Sequence, residues 1–247
     1  MHLTNTDDQT YSFGSANIAQ TLQELMQLMG SMGVDIRDRA QLKAAFDKLF
    51  QIEYHGLPDL TSRSYILAPN HISDFDALLM GLTGRNIKIL SKSDWVENTE
   101  LMKFLGLHYS LVGIDRTSKV SQARALVDLT KHLRAEAPPA HHALIFPQGT
   151  ISDVNKNSVE RVQAGVFALS AKSGVPVLPV YIEQPKFNTP TRIVFGQPME
   201  DLDRRQDYRA AWLEAVLTLQ NSLQPPARSP VLTEKHANNN KPGDPYF

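Results

Sequence analysis

Cysteine is missing from all 247 residues. Its absence excludes disulfides, thiolate metal sites and a Cys nucleophile, and it fits a cytoplasmic protein. Long apolar runs are missing too. No stretch reaches the roughly 18 consecutive apolar residues of a membrane span, so any membrane contact is expected to be interfacial. Charge of one sign is not in excess: 25 Lys+Arg face 26 Asp+Glu, a formal net charge of −1. No general attraction to nucleic acid follows. Residues 1–11 carry Asp7 and Asp8 but no Lys or Arg, which makes them a poor signal peptide. Familiar site motifs are also lacking: no Walker loop, no Gly-x-Gly-x-x-Gly, no Gly-x-Ser-x-Gly elbow and no His-Glu-x-x-His. What is present is ordinary globular composition, 42% hydrophobic and 21% charged. That excludes wholesale disorder and fibrous repeats. At about 150 residues per domain, the length fits one large domain or two small ones.

From Ile18, apolar residues recur at Leu22, Leu25, Met26, Met29 and Met32, the spacing of a helix face. A second helix is expected over 36–51, with Leu42, Ala45, Phe46, Leu49 and Phe50 on one side. A helical hairpin packed on its own core is one reading; an interfacial membrane patch is the other. From about Tyr65 the texture changes. Short apolar runs at 65–68, 87–90, 143–146, 176–181 and 192–195 read as strands. Segments 76–82, 101–105, 119–135, 163–172 and 207–223 read as helices. The expected fold is therefore α/β, a single mixed sheet flanked by helices, with an N-terminal helical hairpin. The expected divisions are a helical segment over 1–55, the α/β domain over 56–224 and a flexible tail over 225–247, which holds five prolines and Asn238–Asn240. His141 and His142 precede a strand and are expected at the surface. Neighbouring strand residues point to opposite faces, so the two are not expected to share a metal.

Pro69-Asn70-His71-Ile72-Ser73-Asp74-Phe75-Asp76 follows an apolar strand and opens a helix. Ligands of α/β sheets bind at the carboxyl ends of strands. In one regular helix His71 and Asp76 would lie about 140° apart. The pair works only with His71 in the loop and Asp76 on the first helical turn. The carboxylate then accepts the Nδ1–H and leaves Nε2 as a general base. Ser73-x-x-Asp76 also has the form of a capping box, which needs no catalysis. Three further segments stand out: Gly113-Ile114-Asp115-Arg116, Phe146-Pro147-Gln148-Gly149-Thr150, and Val175-Pro176-Val177-Leu178-Pro179-Val180. Taken singly they read as a surface Arg, a strand-ending turn and a buried strand.

Their order and spacing resemble the glycerolipid acyltransferase family, whose members include the 1-acylglycerol-3-phosphate acyltransferases. The resemblance spans 70–181. It implies an O-acyltransferase with His71 as catalytic base and Asp76 orienting it. It implies an acceptor site made by Gly113 and Arg116, by Phe146, Pro147, Gln148, Gly149 and Thr150, and more weakly by Lys92. Pro176 and Pro179 would shape the acyl pocket. The donor would be acyl-CoA or acyl-carrier protein, the acceptor a lysophospholipid or related lipid, with no cofactor and no metal. The protein would sit peripherally on the inner face of the membrane.

Two departures bear on the acceptor. The family's third block usually reads Phe-Pro-Glu-Gly-Thr-Arg; here Gln148 stands at the Glu position and Ile151 at the Arg position. A missing Arg removes a bidentate donor for phosphate; Gln148 keeps hydrogen bonding without charge. Acyl transfer needs a base on the alcohol and stabilisation of the oxyanion. Amides after His71 or near Gly149 are the expected oxyanion donors. The alternatives are the same chemistry on a non-phosphate acceptor, such as a glycolipid or amino-acid lipid, and a non-catalytic lipid-binding protein.

Overall fold

The computed structural model describes residues 18–73, 75–93, 96, 109–136, 138–156, 159–184, 190–200 and 207–224. The expected polar start, the helix at 101–105 and the tail at 225–247 lie outside these residues. The chain begins with helices α1 (Ile18–Ser31) and α2 (Arg39–Leu49). The N-terminus of α2 is capped by Asp38, whose carboxylate accepts the amides of Ala40 and Gln41. Then follow β1 (Ile52–His55), β2 (Ile66–Pro69), α3 (Asp76–Thr83), β3 (Ile87–Lys92), β4 (Ser110–Ile114) and α4 (Lys119–Leu133). Beyond two 3-10 turns at Val154–Lys156 and Val159–Arg161, the remaining elements are β5 (His142–Leu144), α5 (Gly165–Ser173), β6 (Val177–Ile182), β7 (Thr191–Phe195) and α6 (Tyr208–Ser222).

The seven strands form one mixed sheet in the order β1-β7-β6-β2-β5-β3-β4. Strands β6, β2, β5, β3 and β4 run parallel; β7 meets β6 antiparallel and β1 parallel. The apolar runs build this sheet because both of its faces are covered. Period-2 alternation sorts each strand between two cores. Leu67, Leu144, Leu178, Val180, Ile87 and Ile89 face the side holding Met29 of α1, Leu42 and Phe46 of α2 and most of α3. Ile66, Ala68, Ala143, Val177, Tyr181 and Val194 face the side holding α4, α5 and α6. Trp212 of α6 is fully buried and donates its indole N–H to the Ala68 carbonyl at 2.8 Å. That bond ties α6 to β2 just before the His71 loop.

Two local expectations differ from the structure. Residues 52–55 form an edge strand with alternating burial where the sequence reads the end of a helical segment. His142 is fully buried, not at the surface. Its Nδ1 accepts the Tyr65 amide at 3.1 Å and its Nε2 meets the Leu60 carbonyl at 2.8 Å, so the ring acts as a bridge between backbone segments. Pro179 lies, as expected, inside a buried strand, one with neighbours on both sides. It is tolerated because its missing N–H faces the end of β7, where Gly196 donates to the Pro179 carbonyl.

Candidate active site

One row of residues crosses the sheet and serves as a ruler: Leu178, Leu67, Leu144, Ile89 and Leu111 pair side by side. His71 lies four residues past this row, Gln148 four, Lys92 three and Arg116 five. All sit at the carboxyl edge of the parallel strands, where such sheets bind ligands.

His71 occupies the loop after β2, and α3 begins at Asp76. His71 Nδ1 lies 2.9 Å from Asp76 Oδ2. The His71 side chain is 19% exposed and that of Asp76 is 0% exposed. Asp76 Oδ2 also accepts the amides of Ile72 at 2.6 Å and Ser73 at 2.9 Å, while Oδ1 accepts the Ser73 hydroxyl at 2.6 Å. Three local donors thus hold the carboxylate, and with Nδ1 as the fourth it fixes the tautomer. Half of the capping box is present. Asp76 reaches back to the Ser73 amide, but the Ser73 hydroxyl donates to Asp76 and does not cap the helix; Phe75 occupies the N-cap position, where no side-chain hydrogen bond caps the helix. Above the imidazole, the Phe146 ring stacks with centroids 4.1 Å apart and planes at 23°. Carboxylate, ring and loop together leave the imidazole little freedom.

The loop 146–152 closes the second side. Gln148 is 4% exposed. Its Oε1 accepts the His71 amide at 2.6 Å, and its Nε2 donates to the Ser152 carbonyl and hydroxyl, both at 2.8 Å. The Ser152 amide donates to the His71 carbonyl at 2.8 Å. Every polar atom of Gln148 is therefore turned toward the protein, which corrects its expected place in contact with the acceptor. Gly149 takes a positive φ of 69°, the left-handed region glycine tolerates. A Cβ there would lie 3.2 Å from Gln163 Cγ and 3.4 Å from Arg116 Nη1. Arg116 is exposed, and no described residue accepts from its guanidinium. Thr150 is exposed and Ile151 is 38% exposed on the same loop. Pro147 is buried, and its carbonyl accepts the Gln163 amide.

The other expected residues fall elsewhere. Lys92 is exposed at the end of β3, paired in register with Ile114, two strands away from β2. Gly113 serves packing: a Cβ would meet Ser93 Cα at 3.3 Å. Pro176 and Pro179 are buried, and Pro179 pairs in register with Ala68, three residues before His71. Pro176 lies two residues before the ruler row, so it is about 20 Å from His71 along the strand direction. The expected oxyanion amides are also engaged: those of Ile72 and Ser73 donate to Asp76, and that of Gly149 donates to the Phe146 carbonyl. Three participants lie outside the expected site residues. Asn70, fully buried, exchanges two hydrogen bonds with Ile182, its Oδ1 accepting at 2.6 Å and its Nδ2 donating at 3.0 Å. It extends the β2–β6 pairing by one residue and aims the chain at His71. An Asn directly after an apolar strand is its only signal. Ser73 is signalled by the capping-box spacing Ser73-x-x-Asp76, and Ser152 carries no signal.

Among the described residues no group of three His, Cys, Asp or Glu side chains is placed to hold a metal ion, and no helix is long and apolar enough to cross a membrane. The fold is similar to the crystal structure of the 1-acyl-sn-glycerophosphate (LPA) acyltransferase, PlsC, from Thermotoga maritima. The TM-score is 0.52 and the identity 19%, over 75% of this chain and 82% of that one. A family model described as Acyltransferase matches residues 51–183, a segment that contains β2, the His71 loop, α3 and the 146–152 loop. The chain belongs to the acyltransferase family.

Proposed function

We propose that this acyltransferase moves a fatty acyl group from a thioester donor, acyl-CoA or acyl-carrier protein, to a hydroxyl of a lysophospholipid or related lipid acceptor, with His71 as general base. The observation that carries this reading is the 2.9 Å contact between His71 Nδ1 and the buried Asp76. It leaves Nε2 as the basic nitrogen at a partly open edge. Nε2 takes the acceptor's hydroxyl proton as the oxygen attacks the thioester carbonyl. The tetrahedral intermediate then collapses, the C–S bond breaks, and the proton passes to the leaving thiolate. Buried Asp76 stabilises the imidazolium that exists between those two steps. The amides of Thr150 and Ile151 donate to no described residue. With Arg116 beside Gly149, they are the donors nearest to hand for the developing oxyanion.

Arg116, beside Gly149, supplies positive charge next to the 146–152 loop and supports a phosphate-bearing acceptor. Exposed Ile151 supports the second reading, an acceptor without phosphate, because an apolar side chain offers a phosphate no hydrogen bond. A panel of lysophosphatidate, uncharged lysolipids and glycolipids, with thiol release measured and products resolved by lipid mass spectrometry, decides between them. Absence of thiol release with every acceptor in the panel would contradict the proposal. Peripheral membrane contact belongs to the same proposal. Leu28 and Met32 at the end of α1 stand 43% and 40% exposed and would enter the lipid interface. Replacing both with Ser should weaken liposome binding, and unchanged binding would remove α1 from the contact.

A further inference from the structure

The geometry points to Gln148 as a positioning residue for His71, one that works because it is an amide and not a carboxylate. The inference deepens the proposed function and rests on it. Its basis is a closed ring of hydrogen bonds between two loops that come from different strands. The His71 amide donates to Gln148 Oε1 at 2.6 Å, Gln148 Nε2 donates to the Ser152 carbonyl at 2.8 Å, and the Ser152 amide returns to the His71 carbonyl at 2.8 Å. The backbone N–H and C=O of the base are thus both held by the 146–152 loop. The same loop stacks Phe146 on the imidazole.

The amide orientation is forced from both ends. A backbone N–H needs an acceptor and a backbone carbonyl needs a donor; the Gln148 amide presents one of each, where an ionised carboxylate presents acceptors alone. A glutamate here would accept from His71 but would set a carboxylate against the Ser152 carbonyl. The Ser152 hydroxyl accepts from the same Nε2 at 2.8 Å, which pairs that side chain with Gln148. Burial sharpens the effect, since Gln148 is 4% exposed and an unsatisfied polar group in that position is costly. The loop that presents Thr150, Ile151 and Arg116-flanked Gly149 is in this way tied to the base by backbone bonds. Any shift of that loop moves His71.

Three variants and two readouts test this. Gln148→Leu removes all three side-chain bonds at similar volume. Gln148→Glu keeps the acceptor for the His71 amide and loses both donors. His71→Ala tests the base itself. Steady-state kcat and KM for donor and acceptor are measured on folded protein, and exchange of the His71 backbone amide is followed by NMR. Displacing a base by about 1 Å costs on the order of 100-fold. Gln148→Leu should therefore lower kcat roughly 10- to 100-fold while both KM values stay within about threefold, and the His71 amide should exchange faster. Gln148→Glu, which keeps the volume and polarity of the site should the Leu variant not fold, should lower kcat about tenfold. The positioning inference is overturned if kcat in the folded variants stays within about twofold of the wild type, or if acceptor KM rises with kcat unchanged. A His71→Ala protein with normal turnover would instead overturn the proposed function, and amide exchange would still report on the clamp.

Discussion

Replacing Asp76 with Asn changes one atom and leaves the shape of the site in place. In the native protein Asp76 Oδ2 accepts from His71 Nδ1, the Ile72 amide and the Ser73 amide, and Oδ1 accepts from the Ser73 hydroxyl. The introduced asparagine can keep its oxygen toward the three N–H donors and turn its NH2 toward Ser73, whose hydroxyl then rotates to accept. The geometry survives; the charge does not. A hydrogen bond to a charged group is worth about 1.5–3 kcal/mol and one between neutral groups about 0.5–1.5 kcal/mol. The loss at the His71 contact is thus about 1.5 kcal/mol, roughly tenfold in rate if it is felt in full when the imidazole is protonated. The buried setting pushes the figure upward, because the carboxylate, 0% exposed, is poorly screened. We therefore expect Asp76→Asn to lower kcat about 10- to 100-fold with acceptor KM little changed, measured as thiol release under saturating donor and acceptor. The loss should be smaller than that of His71→Ala. Turnover equal to the wild type would show that the carboxylate is only a structural cap for the 71–73 turn.

Three other outcomes follow from the same structure. Ile151→Arg places a guanidinium on the loop beside Arg116 and should shift the kcat/KM ratio toward lysophosphatidate over an uncharged lysolipid by about tenfold, the worth of one charge-assisted hydrogen bond; an unchanged ratio would mean that Ile151 does not face the acceptor. Burial pushes the His142 imidazole below its usual range, as it does His132. The unfolded chain therefore takes up protons that the folded one refuses. The stability this pair supports is complete above about pH 6.5 and declines as pH falls below it. The denaturation midpoint should drop between about pH 7 and about pH 5.5, and His142→Gln should flatten that slope. Gly149→Ala, at a φ of 69° and against Gln163, should lower thermal stability and turnover together; normal turnover would free the loop from any link with the base.

Much of the fold is legible in the sequence because the central strands are buried on both faces. Ile66-Leu67-Ala68 and Val177–Ile182 read as uninterrupted apolar runs, and all of these residues lie in the interior. The first strand is hidden because it is an edge: Ile52-Glu53-Tyr54-His55 alternates in burial and follows a helix without a break. The His71–Asp76 pair can be read because its geometry is local, a loop and the first turn of a helix. The direction of Gln148 cannot. It is set by His71, 77 positions away in sequence, and no periodicity reports on such a contact. The same holds for Pro176: its motif is near the site in sequence order, but a six-residue strand carries it across the sheet to the opposite edge. His142 reads as a surface residue because a lone polar side chain before a strand carries no sign of the two backbone groups it joins.

The proposed function stands on His71 as the general base of an acyl transfer to a lipid hydroxyl. The most direct measurement is turnover of purified His71→Ala with a long-chain acyl thioester and the acceptor that the wild type uses best, followed by thiol release and lipid mass spectrometry, with circular dichroism confirming the fold. General-base catalysis is worth about 10²–10⁴-fold, so a loss of that size is expected with secondary structure unchanged. Turnover close to that of the wild type in the folded variant would contradict it.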